Sequence, residues 1–328
     1  MMMRTELTRL LGISRPIIQG GLAYLAYAEL AAAVSNAGGL GQITATTLAG
    51  PKELEEEIAR VRRLTSRPFG VNFALGHHPI DDLLNEALQA RVPVISITGG
   101  NPAPYADRII ASGARLMVLV AGVRAAKKAE ELGASVVIGV GFEGGGHLGR
   151  DDVGTMLLTR RLLDAVNVPV VASGGLADGW QLAAALALGA VGIEMGTRFV
   201  ATQECIAHER YKQALLEGDI NETLVIERSI GRPARVLPSA HVRAILNLEQ
   251  QEAGVEKLLP YIRGELNVQA VLQGHLEDGF VWAGQVIGLI HDIPTVAQLL
   301  QRMEAEAEVA CKRLTHLFDE GSPGLASE

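Results

Sequence analysis

The stretch GFEGGGHLG, Gly141–Gly149, carries one imidazole, His147, and one carboxylate, Glu143, in a run where five of nine residues are glycine. A histidine near its ordinary pKa can exchange a proton with a substrate at neutral pH. Glycine admits unusual dihedrals and lets backbone come close to a ligand. The pattern suits general-base chemistry beside a bound molecule. The plain alternative is a surface loop with a solvated histidine. Glu143 could orient His147 or simply face water.

Two more glycine clusters stand downstream. Ser173-Gly174-Gly175 and Gly196-Thr197-Arg198 each follow a short apolar run. Bare backbone N–H groups there would suit an anion, with Asp178-Gly179 opening a helix whose N-terminus favours negative charge. Thr197 adds a hydroxyl, and Arg198 offers charge to the same anion or to a carboxylate of the protein. Both clusters could also be only tight turns between strand and helix. Other candidates lie near the ends of apolar runs: Gln19-Gly20-Gly21, Asn72 with His77-His78 beyond it, and Thr98-Gly99-Gly100-Asn101.

Some chemistries fit poorly. Schiff-base catalysis needs a lysine on or just past a buried strand. Lys52, Lys127, Lys128, Lys212, Lys257 and Lys312 all fall in expected helices. Histidines and carboxylates are not clustered as a metal hydrolase requires, so no metal is expected.

The elements that must hold these groups follow a repeated grammar. SGARLMVLV, LGASVVIGV and LGAVGIEMG each run from a glycine at a helix end into a β-branched or apolar segment. Glycine at that position closes a helix in the left-handed conformation. Near-continuous apolar runs are what strands buried on both faces require. Eight candidate strands emerge: Pro16–Gln19, Leu40–Ile43, Phe69–Asn72, Val94–Ile97, Arg115–Val118, Val136–Val140, Val168–Ala172 and Val191–Glu194. Helical patterns alternate with them, among them Tyr27–Ala37, Pro51–Leu64, Val123–Leu132 and Gly179–Leu188. This predicts an α/β fold, a (β/α)8 TIM barrel, with a doubly wound open sheet as the alternative. No GxGxxG opens a helix after the first strand. Barrel enzymes work at the C-terminal strand ends, and loops after strands seven and eight commonly bind phosphate. The glycine clusters fall at those ends.

The grammar changes after Phe199. Residues 208–280 read as a mainly helical second domain without the strand pattern, and 1–207 with 281–328 as the barrel. Trp282–Leu317 returns to helix, with Met303–Leu317 amphipathic.

The 328 residues are 48% hydrophobic with a formal net charge of -8. That is enough to bury a large core, and no basic stripe suggests nucleic acid. No apolar run is long enough to span a bilayer, and the N-terminus has no signal-peptide pattern. Two cysteines, Cys205 and Cys311, without metal spacing point to a reducing cytoplasm. A small-molecule substrate is expected, and a homodimer is compatible with the sequence.

PIIQGG (Pro16–Gly21), FGVN (Phe69–Asn72), GFEGGGHLG, VVASGGLADG, MGTRFVATQEC followed by His208, and WAGQVIGLIHDIPT resemble the nitronate monooxygenase family. Flavin-dependent enoyl-acyl carrier protein reductases and NADH:quinone reductases share the pattern. The resemblance implies an FMN-binding barrel whose flavin carries the redox chemistry. It implies that Gly174, Gly175, Gly196 and Thr197, beside Ser173, hold the FMN phosphate. Gly20, Gly21 and Asn72 would lie along the ring and ribityl chain, Gly145 and Gly146 close to the ring. His147 would be the catalytic acid/base. The implied activity is oxidation of alkyl nitronates with O2 to a carbonyl compound and nitrite. NAD(P)H-driven reduction of quinones or enoyl thioesters is the enzymatic alternative. A non-catalytic barrel binding a phosphorylated ligand is the other. The chain departs from the family pattern at Leu119, Val140 and Ala74, where polar groups are expected along the flavin.

Overall fold

The computed structural model describes residues 3–76, 79–252 and 254–318. His77-His78 lie outside the described residues.

A short helix, α1 (Glu6–Leu11), precedes the first strand, β1 (Ile17–Gln19). The chain then alternates: α2 (Ala28–Asn36), β2 (Gly41–Thr44), α3 (Pro51–Leu64), β3 (Phe69–Ala74), α4 (Asp81–Gln89), β4 (Val94–Thr98), α5 (Ala103–Ala111), β5 (Arg115–Val120), α6 (Val123–Glu131) and β6 (Val136–Val140). A two-residue strand, β7 (Gly146–His147), interrupts the alternation before α7 (Thr155–Leu163), β8 (Val170–Ser173), α8 (Gly179–Leu188), β9 (Gly192–Met195) and α9 (Thr197–Val200).

Eight strands form one parallel sheet in the order β1-β9-β8-β6-β5-β4-β3-β2. A parallel bridge between Ile18 and Leu40, with Gln19 N–H donating to Leu40 O at 2.9 Å, brings the first strand against the last. This is the (β/α)8 barrel expected from the sequence. The expected strands agree with the observed ones to within about two residues at each end.

Strand register decides what faces the barrel axis. Ile18, Glu194, Ser173 and Val140 are partners in neighbouring strands, as are Thr44, Asn72, Ser96 and Met117. Partners in a parallel ladder share a face. At the N-terminal end the interior is apolar: Val94, Met117, Val136, Ile138 and Val171 pack together, plugged by Leu7 and Leu11 of α1. Toward the C-terminal end the inward positions turn polar, with Gln42, Asn72, Ser96, Ser173 and Glu194 all buried. The core therefore closes one end and leaves hydrogen-bonding groups at the other.

The rest of the chain is α10 (Glu209–Glu217), β10 (Leu224–Ile226), β11 (Ala234–Val236), α11 (Ala240–Gln250), α12 (Val255–Leu258), α13 (Gly264–Gln273) and α14 (Val296–Phe318). Residues 208–280 are mainly helical, but they also contain β10 and β11. These pair antiparallel with each other, and β11 pairs with β7, setting Ala234 opposite His147. Three-residue strands are too short to leave a periodic signal. Trp282–Leu317 is not continuously helical. A 3₁₀ turn spans Gln285–Leu289, and non-helical chain follows until α14 begins. α14 packs on α8 so tightly that a Cβ on Gly179 would stand 2.1 Å from Met303 O. No helix among the described residues is long and apolar enough to cross a membrane.

Candidate active site

The C-terminal strand ends enclose a cavity of about 310 Å³, at the low end of the range for small-molecule sites. Every residue singled out as catalytic or cofactor-binding lines it: Gly20, Gly21, Asn72, Gly145, Gly146, His147, Ser173, Gly174, Gly175, Gly196 and Thr197. So do the apolar departures Ala74 on β3, Leu119 on β5 and Val140 on β6, which the register turns inward. Tyr211 of α10, Val271 of α13 and Trp282 complete the wall. The cavity thus lies between the barrel and the later part of the chain.

His147 stands on β7 with its ring 5.3 Å from that of Trp282. Nε2 of His147 lies 3.4 Å from a guanidinium nitrogen of Arg232. A guanidinium can only donate, so this contact requires Nε2 to accept and the ring proton to sit on Nδ1. Burial by neighbouring groups, reinforced by the Arg232 charge, lowers the His147 pKa to about 4. More than a third of the residue is nevertheless exposed, and water on that side limits the shift. The direction carries the chemistry: the imidazole is neutral at pH 7, with its lone pair on Nε2 turned to Arg232.

The loop leading to His147 is held from outside. Arg235 of β11 is buried and donates to Phe142 O at 2.8 and 3.2 Å and to Thr223 Oγ1 at 3.0 Å. Its guanidinium lies 4.4 Å over the Phe142 ring. Glu143 neither orients His147 nor floats free: its carboxylate accepts from Thr155 N–H at 2.8 Å and Thr155 Oγ1 at 2.9 Å, capping α7. Several glycines of the loop are bare because other chain segments press on them. A Cβ on Gly141 would stand 2.1 Å from Thr155 Oγ1, and one on Gly145 2.7 Å from Gly284 N. Gly146 differs: its φ of +76° is the left-handed conformation that favours glycine, and a Cβ there would meet open space.

The anion-binding reading of the loops after β8 and β9 changes in detail. The N-terminus of α8 is already filled. Asp178 accepts from Gln181 N–H at 2.8 Å, and Gly179 N–H donates to Glu306 of α14 at 2.8 Å. Arg198 also turns away from the cavity. Its guanidinium donates to Ala201 O, to Asp292 O and, at 3.3 Å, to the Asp292 carboxylate. Buried among them, it pins the chain before α14 to the barrel. The amides of Gly174, Gly175 and Gly196, by contrast, have no protein acceptor among the described residues. The Thr197 hydroxyl accepts from Gly284 N–H at 3.0 Å and keeps its own proton to donate.

A polar chain not identified from sequence runs beneath the cavity. Asn72 Nδ2 donates to Ser96 Oγ and Thr98 Oγ1, both at 2.8 Å, and Ser96 Oγ to Gln42 Oε1 at 2.6 Å. Gln42 in turn donates to Gln19 O at 2.9 Å. The chain fixes the Asn72 amide, whose Oδ1 faces Gly21 so closely that a Cβ there would stand 2.2 Å away. The sequence signal was polar residues in otherwise apolar strand runs, as in GQIT and VISIT. Glu194, Arg232, Tyr211 and Trp282 were also missed. The last three come from chain whose path to the cavity no local pattern reveals.

An eight-stranded parallel barrel with a cavity at its C-terminal strand ends, walled by glycine loops and a neutral imidazole, has the layout of a barrel enzyme. The family model for nitronate monooxygenase matches residues 4–87 and 80–306. The chain belongs to that family and is an oxidoreductase. It is 34% identical to the nitronate monooxygenase of Pseudomonas aeruginosa, over 93% of this chain and 99% of the relative. It is 33% identical to (3aS,4S,5R,7aS)-5-hydroxy-7a-methyl-1-oxo-octahydro-1H-indene-4-carboxyl-CoA dehydrogenase of Rhodococcus jostii, over 93% and 96%. Among solved structures it is similar to FabK from Thermotoga maritima, with a TM-score of 0.90 and 38% identity over 96% of this chain and 100% of that one.

Proposed function

We propose that the protein is an FMN-dependent oxidoreductase of the monooxygenase type that oxidises alkyl nitronates with O2 to a carbonyl compound and nitrite, with His147 as the acid/base residue. The observation that carries this reading is the neutral imidazole of His147 on a largely apolar cavity wall, with the Arg232 guanidinium 3.4 Å from its Nε2. A nitronate is a small anion with an adjacent carbon centre. The anion would take over the Arg232 hydrogen bond, which frees Nε2 of His147 to hold or receive a proton beside it.

The residues present fit FMN. The amides of Gly174, Gly175 and Gly196 and the Thr197 hydroxyl offer donors to a phosphate. Gly146 leaves room for a flat ring, Gly20 and Gly21 line the same cavity, and Asn72 offers a carbonyl oxygen toward it. Bound there, FMN would supply the electron acceptor that O2 regenerates. Leu119, Val140 and Ala74 would keep water from the ring and provide no cation beside it. Family membership supports the reading.

A second reading is oxidation or reduction of an acyl thioester by the same site. The relative from Rhodococcus jostii is named for a carboxyl-CoA substrate, and the apolar wall would suit an acyl chain. The test is flavin reduction without oxygen. Rapid bleaching of the bound flavin by an alkyl nitronate, and slow bleaching by NADH or NADPH, is expected. Rapid reduction by a nicotinamide with none by nitronate would transfer the assignment to the reductase reading. A protein that is colourless and gains no flavin spectrum on adding FMN would leave only a non-catalytic barrel.

A further inference from the structure

The floor of the cavity holds a carboxyl group that pairs with no cation among the described residues. Glu194 points inward from β9, in register with Ile18 on β1 and Ser173 on β8. It is 6% exposed, and the cavity it lines is its way out. Ser173 Oγ donates to Oε2 at 3.0 Å. Oε1 lies on the Gly20 side, 3.3 Å from where a Cβ on that glycine would stand. The other titratable side chains on the cavity wall are His147 from β7 and Tyr211 from α10; Asn72 from β3 and Thr98 from β4 are uncharged. A carboxylate in such a place would be an unpaired buried charge, which is costly. A carboxylic acid would be satisfied: Oε2 accepts from Ser173, and Oε1 carries a hydrogen to give.

We propose that Glu194 acts as a neutral acid that donates a hydrogen bond from Oε1 to an acceptor atom of the molecule seated in the cavity, so that binding takes up one proton in mildly alkaline solution. The proposal rests on the flavin reading, in which that acceptor is a carbonyl oxygen or ring nitrogen of FMN. Burial, opposed by the Ser173 hydrogen bond, raises the Glu194 pKa to about 7. Below that pH the free protein already holds the proton, and binding does not depend on it. Above that pH the empty site is a carboxylate, which cannot donate and repels an acceptor. Affinity then falls by about tenfold per pH unit.

The test is FMN affinity at pH 6, 7, 8 and 9, read by quenching of flavin fluorescence, for the wild type and Glu194→Gln. The amide donates at every pH and is close in shape. The expected result is a wild-type Kd that is flat to pH 7 and then rises about tenfold per unit. The variant should show no such rise, since titration of the FMN phosphate affects both proteins alike. A second readout needs no flavin: an infrared carboxylic-acid band, present in the wild type at pH 6, lost at pH 9 and absent from the variant. Equal pH slopes in the two proteins, or no such band at pH 6, would overturn the proposal. Failure of both proteins to bind FMN at any pH would overturn the flavin reading and the coupling with it. The infrared band would then report separately whether Glu194 holds a proton.

Discussion

His147 and Glu194 show how one cavity moves two pKa values in opposite directions. Burial opposes charge in both, so the imidazole goes down to about 4 and the carboxyl up to about 7. Near neutral pH the site therefore offers a neutral base on its wall and an acid on its floor. His147→Asn keeps a polar, hydrogen-bonding group and removes the titratable ring. This variant should bind FMN as the wild type does and lose at least about a hundredfold in turnover, with flavin absorbance and steady-state rate as the two measurements. Unchanged turnover would remove His147 from the chemistry. Glu194 also bears on stability. Its folded-state pKa lies above the ordinary carboxyl value of 4.5. Burying it is therefore harmless below about pH 4.5, costs more as pH rises through about 7, and costs about 3 kcal/mol above that. Glu194→Gln in the flavin-free protein should raise the melting temperature at pH 8 and barely change it at pH 5. Calorimetry at the two pH values checks both the sign and the window.

At the scale of elements, the short sheet β7-β11-β10 holds His147 over the barrel mouth. It fixes the backbone at His147, and Arg235 ties the preceding turn to it through Phe142 O. Arg235→Met keeps most of the side-chain volume and leaves that carbonyl without its donor. A loss of about 2 kcal/mol is expected, with a fall in turnover because β7 loosens; urea unfolding and kinetics read the two effects. The contact of α14 with α8 is the other constraint. Gly179→Val would drive a side chain into the backbone of α14 at Met303, at a cost of about 3 kcal/mol. The Glu306 bond to the Gly179 amide should be lost with it. A drop in melting temperature with little change in KM would separate this packing role from a part in ligand binding.

For the molecule as a whole, the cavity wall is assembled from the barrel, from α10 and α13, and from the segment at Trp282. A ligand that fills it bridges chain far apart in sequence, so binding and folding are linked. FMN at about a hundred times its Kd should stabilise the protein by about 2.7 kcal/mol, seen calorimetrically as a melting temperature that rises with flavin concentration. No shift at saturating FMN would mean that flavin does not bind the folded cavity.

The sequence by itself determined the barrel, and for a physical reason. Each strand is buried on both faces and each helix on one, so hydrophobic runs mark the βα units locally and glycines close several of their helices, as at LGASVVIGV and LGAVGIEMG. Strand ends follow from strands, and the glycine loops, His147 and Asn72 could be placed at one mouth from the order of units alone. Tertiary structure decided what each group does there. The guanidinium of Arg198 and the first amides of α8 suit a phosphate, yet Asp292 takes the guanidinium, and Asp178 with the distant Glu306 takes the amides. Glu143, four residues from His147, went to Thr155 instead. The strands β10 and β11 were invisible because three residues carry no period, and Arg232 reaches His147 across 85 positions of chain. Hydrophobic patterning is written residue by residue, whereas the partner of a polar group is chosen only when the folded chain brings its competitors within a few ångströms.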